Sequence, residues 1–404
     1  MTKPPMLTAQ QALDHLLSHA QPVGEIEKVA MQAALGRVLA ENVNSLVDVP
    51  PLDNTSMDGY ALRTADTQNP GSILRIAQRI PAGSIGTQLE AGTAARIFTG
   101  APVPPGADAV VMQEDCITDS ETNQVTINIA PSSGQWIRRK GEDLTAGKTA
   151  LAAGTFLRPQ ELGVAASAGL THLNVKRRVK VAAFFTGDEL ALPGEPLKPG
   201  GIYNSNRDTL MACLKSLGCD ATDLGIVPDR LDATRDALRK ASKDHDLIIT
   251  SGGVSVGEED HIKPAVTAEG RLDLWQIAIK PGKPFAHGRI GEAHFIGLPG
   301  NPVSSFVTFL LLVRPFLLQL QGVQQTAIKT VAARADFTWP RADKRREFLR
   351  VRRNANGGLD LFPNQSSGVL TSAVWGDGLV DNPSGRTIAP GDVVQYVALR
   401  ELLA

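Results

Sequence analysis

Asp246-Leu-Ile-Ile-Thr250 runs directly into Ser251-Gly-Gly-Val-Ser-Val-Gly-Glu-Glu-Asp260. A short apolar run bounded by turn residues reads as a buried strand. The glycines that follow permit close backbone approach, and their amides can form a nest for an anion. The loop lacks the Gly-Lys-Ser/Thr ending of a Walker A motif and does not match GxGxxG, so dinucleotide binding gains little support. Outward from this stretch, strands and helices alternate. Val179–Phe185 reads as a strand, Asn206–Leu217 as an amphipathic helix ending at Gly218, and Asp220–Val227 as a strand. Leu231–Lys243 and Pro264–Glu269 read as helices, and His294–Leu298 as a strand. Pro302–Gln321 reads as a long helix, with Asn301 a good N-cap and Pro302 suited to the first helical position. The pattern predicts an α/β domain with a largely parallel sheet. Its ligand belongs beyond the carboxyl ends of the strands, where the glycine loops fall.

The flanking regions differ. Thr8-Ala-Gln-Gln11 resembles a capping box and opens a helix through Ala12, Leu13, Leu16 and Leu17. A second helix is expected over Ala30–Leu39. His15 and His19 stand four residues apart, but no carboxylate pattern completes a metal site, so they read as a solvated helix face. Residues 46–140 alternate short apolar runs with Gly/Pro turns and read as β-rich. Pro159–Gly169 reads as a short helix in a return segment. From residue 328 short strands separated by Asn-Gly and Pro-Gly turns predict a small barrel or sandwich. The division is thus 1–45 with 141–178, a helical and extended linking domain; 46–140, a β-rich insertion; 179–327, the α/β domain; and 328–404, a C-terminal β-barrel.

Composition bounds the function. The 404 residues allow two to four domains at roughly 100–200 residues each. Lys+Arg number 41 against 42 Asp+Glu, a net charge of −1, which argues against bulk binding of nucleic acid or an anionic membrane. Three cysteines make no disulfide framework, and no CxxC or Cys/His cluster points to zinc. The N-terminus lacks a signal-peptide core. The apolar run Phe306–Val313, cut by Arg314 and Pro315, reads as a buried helix rather than a membrane span. The expected location is cytoplasmic.

Seven loops concentrate chemistry. Asp53-Asn-Thr-Ser-Met-Asp-Gly-Tyr60 can hold a cation or a polar ligand, or be an ordinary turn. Thr99–Gly106 is a Pro/Gly-frozen backbone. Arg138-Arg-Lys-Gly-Glu-Asp143 puts three cations for an oxyanion beside two acids, although a solvated charged turn explains it as well. Thr186-Gly-Asp-Glu189 ends the first α/β strand, and the Ser251 loop follows another. Lys280-Pro-Gly-Lys-Pro284 frames two lysines that are costly to order without an anion to face. Gly297-Leu-Pro-Gly-Asn-Pro302 opens a helix whose free amides attract anions. Together they predict a phosphorylated or oxyanionic ligand and a divalent cation.

The motifs NTSMDGYAL, RIFTGAPVPPGADAVVMQE, RRKGEDL, FFTGDEL, TSGGVSVGEED, IKPGKPFA and GLPGNPVS, in this order over nearly the whole chain, resemble the molybdopterin molybdenumtransferase (MoeA) family, which includes the E domain of gephyrin. The resemblance implies four domains and an elongated homodimer whose clefts are shared between subunits. It implies a Mg²⁺-dependent reaction of adenylylated molybdopterin with molybdate, in which AMP is released and molybdenum enters the dithiolene. Molybdopterin adenylyltransferase and downstream molybdoenzyme chaperones become candidate partners. By matching position the catalytic set is Asp58, Thr99, Asp143, Glu189, Asp229 and Asp260, of which Glu189, Asp229 and Asp260 are metal candidates. The binding set is Arg138, Ser251, Gly252, Gly253, Ser255, Lys280, Lys283, Pro299, Pro302, Arg350 and Ser367. The sequence departs from the family at His261, where Tyr or Phe is usual, and at Ser366, where Gly is commoner. Two alternatives have discriminating features. A molybdopterin adenylyltransferase would be small, with a TGGTG-like loop. A gephyrin-like scaffold would carry a linker or fused domain.

Overall fold

The computed structural model describes residues 6–254 and 261–403. Ser255 and Asp260 therefore lie outside the described residues.

The central sheet has six strands in the order Asp220–Val227, Lys180–Thr186, Leu247–Ser251, Ala293–Leu298, Ala286–Ile290, Arg271–Trp275. The first four run parallel and the last two join antiparallel. Every residue of Leu247–Ser251 and Ala293–Leu298 is buried, as a sheet covered on both faces requires. The period of two decides which face each side chain meets. Val181, Ala183 and Phe185 pack with Leu210, Leu214, Val307 and Phe316. Ala182 and Phe184 pack with Leu238, Ala241, Ala265 and Val266 on the other face. Each large side chain so buried contributes about 1.5–3 kcal/mol.

The N-terminal helix, Ala9–His19, joins the first of these faces through Ala12 and Leu16. Its capping box is present, with Gln11 N donating to Thr8 Oγ1 (3.2 Å) and Thr8 N donating to Gln11 Oε1 (2.9 Å). The helix expected over Ala30–Leu39 does not form. Ile26–Ala30 is a strand paired with His172–Lys176, and Met31–Ala33 is a single 3₁₀ turn. Gly36 then takes φ +71°, and Val38 and Leu39 make bridges to Phe156 and Val175. Long-range pairing and a left-handed glycine outweigh the helical propensity of the Ala/Leu run.

Pro302–Leu320 is helical over 19 residues and has a mean hydropathy of 1.8 over its most apolar window, yet 89% of that window is buried in the protein. It is longer than the apolar run alone implied, and its length is absorbed by the core. A π-helical turn at Phe309–Val313 interrupts it immediately before Arg314-Pro315. Pro315 brings no N–H to the ladder, and the wider turn accommodates the gap.

In the β-rich region a six-stranded sheet runs Ala109–Met112, Gly59–Leu62, Thr93–Ile97, Ser72–Ile80, Gln124–Ile127, Cys116–Asp119. It has an apolar cluster on each face. At the C-terminus Arg346–Arg353, Gly358–Leu361, Val331–Ala335, Val393–Ala398 and Gly378–Asn382 pair in a ring, and the last closes onto the first. This five-stranded barrel receives one further short strand, Ile279–Lys280, from the α/β region, paired in parallel with Arg346–Glu347.

Candidate functional site

Four loops meet at the carboxyl edge of the parallel sheet. After the strand ending at Thr186, Gly187 takes φ +147° and Glu189 folds back over it, so that a Cβ there would lie 2.7 Å from Glu189 Oε2. The neighbouring strand delivers Asp229, whose amide donates to Asp188 Oδ1 (3.3 Å). Burial first, then the charges of Asp188 and Glu189, push the Asp229 carboxyl above its ordinary value, while His261 pulls it down. Among the described residues none of these three acids forms an ion pair. A cavity of about 300 Å³ opens beside Asp188 and Glu189, lined also by Glu195 and Lys198.

The glycine loop lies against the same edge. Gly252 and Gly253 have φ +100° and +63°. A Cβ on Gly252 would collide with the Thr186 carbonyl, and one on Gly253 would stand 2.9 Å from Thr186 Oγ1, so both positions need glycine. Ser251 is a tie between motifs. Its hydroxyl donates to the Pro299 carbonyl (2.9 Å) and accepts from Asn206 Nδ2 (2.9 Å), which also donates to the Gly300 carbonyl (2.7 Å). Among the described residues, Thr186 Oγ1, Asn204 Nδ2 and Thr250 Oγ1 are buried without partners. Leaving a buried polar group unmet costs about 1–3 kcal/mol, and of these Thr186 Oγ1 stands against the glycine loop, 2.9 Å from where a Gly253 Cβ would be.

Pro302 takes the first turn of the long helix as expected, but Asn301 caps it without a side-chain hydrogen bond. The Val303 amide instead donates to the Ser367 carbonyl (3.0 Å), which brings the barrel loop onto the helix start. Pro299, Pro302 and Ser367 therefore come together. Arg350 stands behind this loop, 1% exposed. It donates to Ser372 Oγ (3.1 Å), the Phe348 carbonyl (3.3 Å) and the Ser366 carbonyl (3.2 Å), and burial lowers its guanidinium to about 10. It is a brace for the loop rather than the open anion contact the sequence led us to expect.

The two framed lysines separate. Lys280 does not face an open anion site: Nζ lies 3.0 Å from Glu347 Oε1 and 3.3 Å from Asp343 Oδ2. Lys283 is exposed and pairs with no described acid. In the β-rich region Thr99 donates to Asp58 Oδ1 through its amide (2.7 Å) and hydroxyl (2.8 Å), which hold the Asp58 carboxyl below its usual range. Arg138 is exposed on a two-residue strand paired with Asn54-Thr55. Its neighbours are already neutralised, Arg139 by Asp53 (2.6 Å) and Lys140 by Asp48 (3.3 Å), so the expected triple cation is largely a single one. Asp143 is exposed nearby. No hydrogen bond or ion pair among the described residues joins this set to the acids at the strand ends.

Comparison with known proteins gives three matched regions. Residues 7–169 match the MoeA N-terminal region (domain I and II), 182–319 a probable molybdopterin binding domain, and 332–399 the MoeA C-terminal region (domain IV). The chain is 36% identical to a molybdopterin molybdenumtransferase 2 of Mycobacterium tuberculosis over 97% of both chains. The chain belongs to the molybdopterin molybdenumtransferase family. It is also 42% identical to the molybdopterin molybdenumtransferase of Haemophilus influenzae over 79% of each chain. A MoeA crystal structure from Pyrococcus horikoshii OT3 matches 98% of the chain and 100% of its own with a TM-score of 0.84 at 28% identity. Membership places the chain among the transferases of molybdenum cofactor biosynthesis.

Sequence reasoning missed Asp188, Thr186, Asn204 and Asn206. Asp188 and Thr186 sit in the TGDE loop that was read for Glu189 alone. Asn204 and Asn206 precede and open a helix, which is a capping signal, and only the fold turns Asn206 toward Ser251 and Gly300.

Proposed function

We propose that this chain carries out the metal-inserting step: adenylylated molybdopterin and molybdate bind at the carboxyl edge of the α/β sheet, the adenylate is cleaved with release of AMP, and molybdenum enters the dithiolene. The observation that carries this reading is the proximity of Asp188, Glu189 and Asp229, three carboxylates that form no ion pair among the described residues, beside a glycine loop next to the orphaned Thr186 hydroxyl. An all-oxygen, like-charged donor set suits a hard dication such as Mg²⁺, held by Glu189 and Asp229 with Asp188 beside them. When bound, Mg²⁺ would neutralise phosphoanhydride charge.

The chain's own residues do the rest. The Gly252 amide donates to the Leu298 carbonyl (3.2 Å), so the Gly253 amide is the one offered to an anion, and Asn206 fixes that loop against Gly300. Lys283, which pairs with no described acid, offers its charge to phosphate or molybdate. Metal insertion is ligand exchange at molybdenum, so orientation and exclusion of water are the protein's main contributions. The Asp58–Thr99 pair, Arg138 and Asp143 form a separate polar surface, and we assign it to the cleft of a second copy in a homodimer acting in the cytoplasm. The test is AMP release by purified protein given adenylylated molybdopterin, molybdate and Mg²⁺. Release that needs both molybdate and Mg²⁺ supports the reading; no AMP under these conditions overturns it.

A further inference from the structure

A second polar cluster sits away from that edge. His15 and His19, one turn apart on the N-terminal helix, face Asp273 of the edge strand Arg271–Trp275, and one donor atom from each lies within 4.8 Å of the others. His287 and His294 continue the cluster inward. His287 Nδ1 is 3.3 Å from His15 Nε2, and His287 Nε2 is 3.4 Å from His294 Nδ1. His294 is in register with Leu247 at the amino end of the parallel strands, whereas Leu298 is in register with Ser251. At about 3.3 Å per residue, roughly 13 Å of strand separates His294 from the end that carries the glycine loop.

The cluster has the features of a ligand set rather than of a solvated helix face. His19 Nδ1 lies 2.7 Å from the His15 carbonyl. A carbonyl only accepts, so Nδ1 carries the hydrogen and Nε2 keeps its lone pair, the tautomer that outer hydrogen bonds impose on metal-bound histidine. His15 is held by His287, which is fully buried and stacks on His294. Asp273 is the acid within reach and is shared with Arg271 (3.1 Å). A tetrahedral ion needs donors about 3.4 Å apart, so side-chain rotations of about 1 Å close the set.

We propose that His15, His19 and Asp273 form a binding site for a zinc-type transition-metal dication, which clamps the N-terminal helix to the edge of the α/β sheet. Imidazole donors on one helical turn with a single carboxylate select such an ion over Mg²⁺, which the strand-end acids suit. His287 is a positioning residue for His15.

The experiment titrates metal-free full-length protein with Zn²⁺ against a chromophoric chelator and with Co²⁺ followed by its visible absorption. Wild type is expected to take up one equivalent of tightly held metal and to melt several degrees higher with Zn²⁺. His15→Ala and His19→Ala are each expected to weaken Zn²⁺ binding about 100-fold or more, and to remove both the Co²⁺ spectrum and the thermal shift. Asp273→Asn, a change that keeps the side chain's size and shape, is expected to weaken it about tenfold, and Asp229→Asn is expected to leave it unchanged. The proposal is overturned if wild type binds no metal at micromolar concentration, if the histidine variants bind as wild type does, or if Asp229→Asn abolishes binding.

Discussion

The carboxyl edge of the α/β sheet and the Arg138–Asp143 loop both looked like ligand sites because both crowd charge into a few residues. They treat that charge in opposite ways. In the loop, Arg139 and Lys140 already face Asp53 and Asp48. At the strand ends, the charges of Asp188 and Glu189 push Asp229 up, none of the three acids forms an ion pair among the described residues, and His261 relieves Asp229 only in part. Charge satisfied within the chain holds architecture; charge left unsatisfied marks where something else must bind. Lys280 and Lys283 repeat the contrast three residues apart, one committed to Glu347 and the other to no described acid.

The strongest way to break this distinction is Asp229→Asn. Turnover, followed as AMP release, is expected to fall about 100-fold or more while the melting temperature holds or rises, because one of three like charges is gone. A large loss of stability would place Asp229 among the architectural acids.

The lysines come next. Lys283→Ala is expected to lower turnover about tenfold without moving the melting temperature. Lys280→Ala is expected to cost about 1–2 kcal/mol, since it leaves the buried Glu347 with one partner fewer, and chemical denaturation measures it.

The pH dependence separates the regions by sign. Burial alone would raise Asp246, but Arg177 (2.7 and 2.8 Å) and the Lys180 amide (2.8 Å) hold its carboxyl below the ordinary value. Its contribution is therefore present above the unfolded value near 3.9 and is lost as pH falls through the lower folded value. Asp229, raised in the fold, contributes most when protonated and loses that contribution as pH rises from about 3.9 through its higher folded value. Asp246→Asn should flatten the acid limb of the stability curve, and Asp229→Asn the limb above it, as read by denaturation at stepped pH. The smallest expected effect is that of Arg139→Ala, whose exposed pair with Asp53 is worth about 0.5 kcal/mol or less.

Much of this was legible before any coordinates. The strand at Asp246–Thr250 and its glycine loop located the carboxyl edge because their signals are local: an apolar run, a turn, a helix cap. The seven motifs placed the chain in its family. What stayed hidden depends on distance in sequence. Arg350 looked like a free cation until the barrel folded Ser366 and Ser372 around it, and Lys280 until Glu347 arrived from another region. The Ala30–Leu39 run has helical propensity and loses to pairing with residues more than a hundred positions away. His15 and His19 appeared to lack a carboxylate because Asp273 is supplied by a strand at the far end of the α/β region.

The strand Ile279–Lys280 has a mechanical consequence. The covalent connection alone, through residues 321–330, would let the barrel swing about one pivot. The loaned strand adds a second anchor, hydrogen-bonded to Arg346–Glu347, and the Val303–Ser367 hydrogen bond and the core shared with Phe348, Leu379 and Leu399 add more. Any swing of the barrel must therefore peel the strand away or open that core. Lys283 lies three residues beyond the second anchor, so torque on the barrel reaches its backbone through a lever one loop long. The barrel thus holds the near end of the loop that carries this cation.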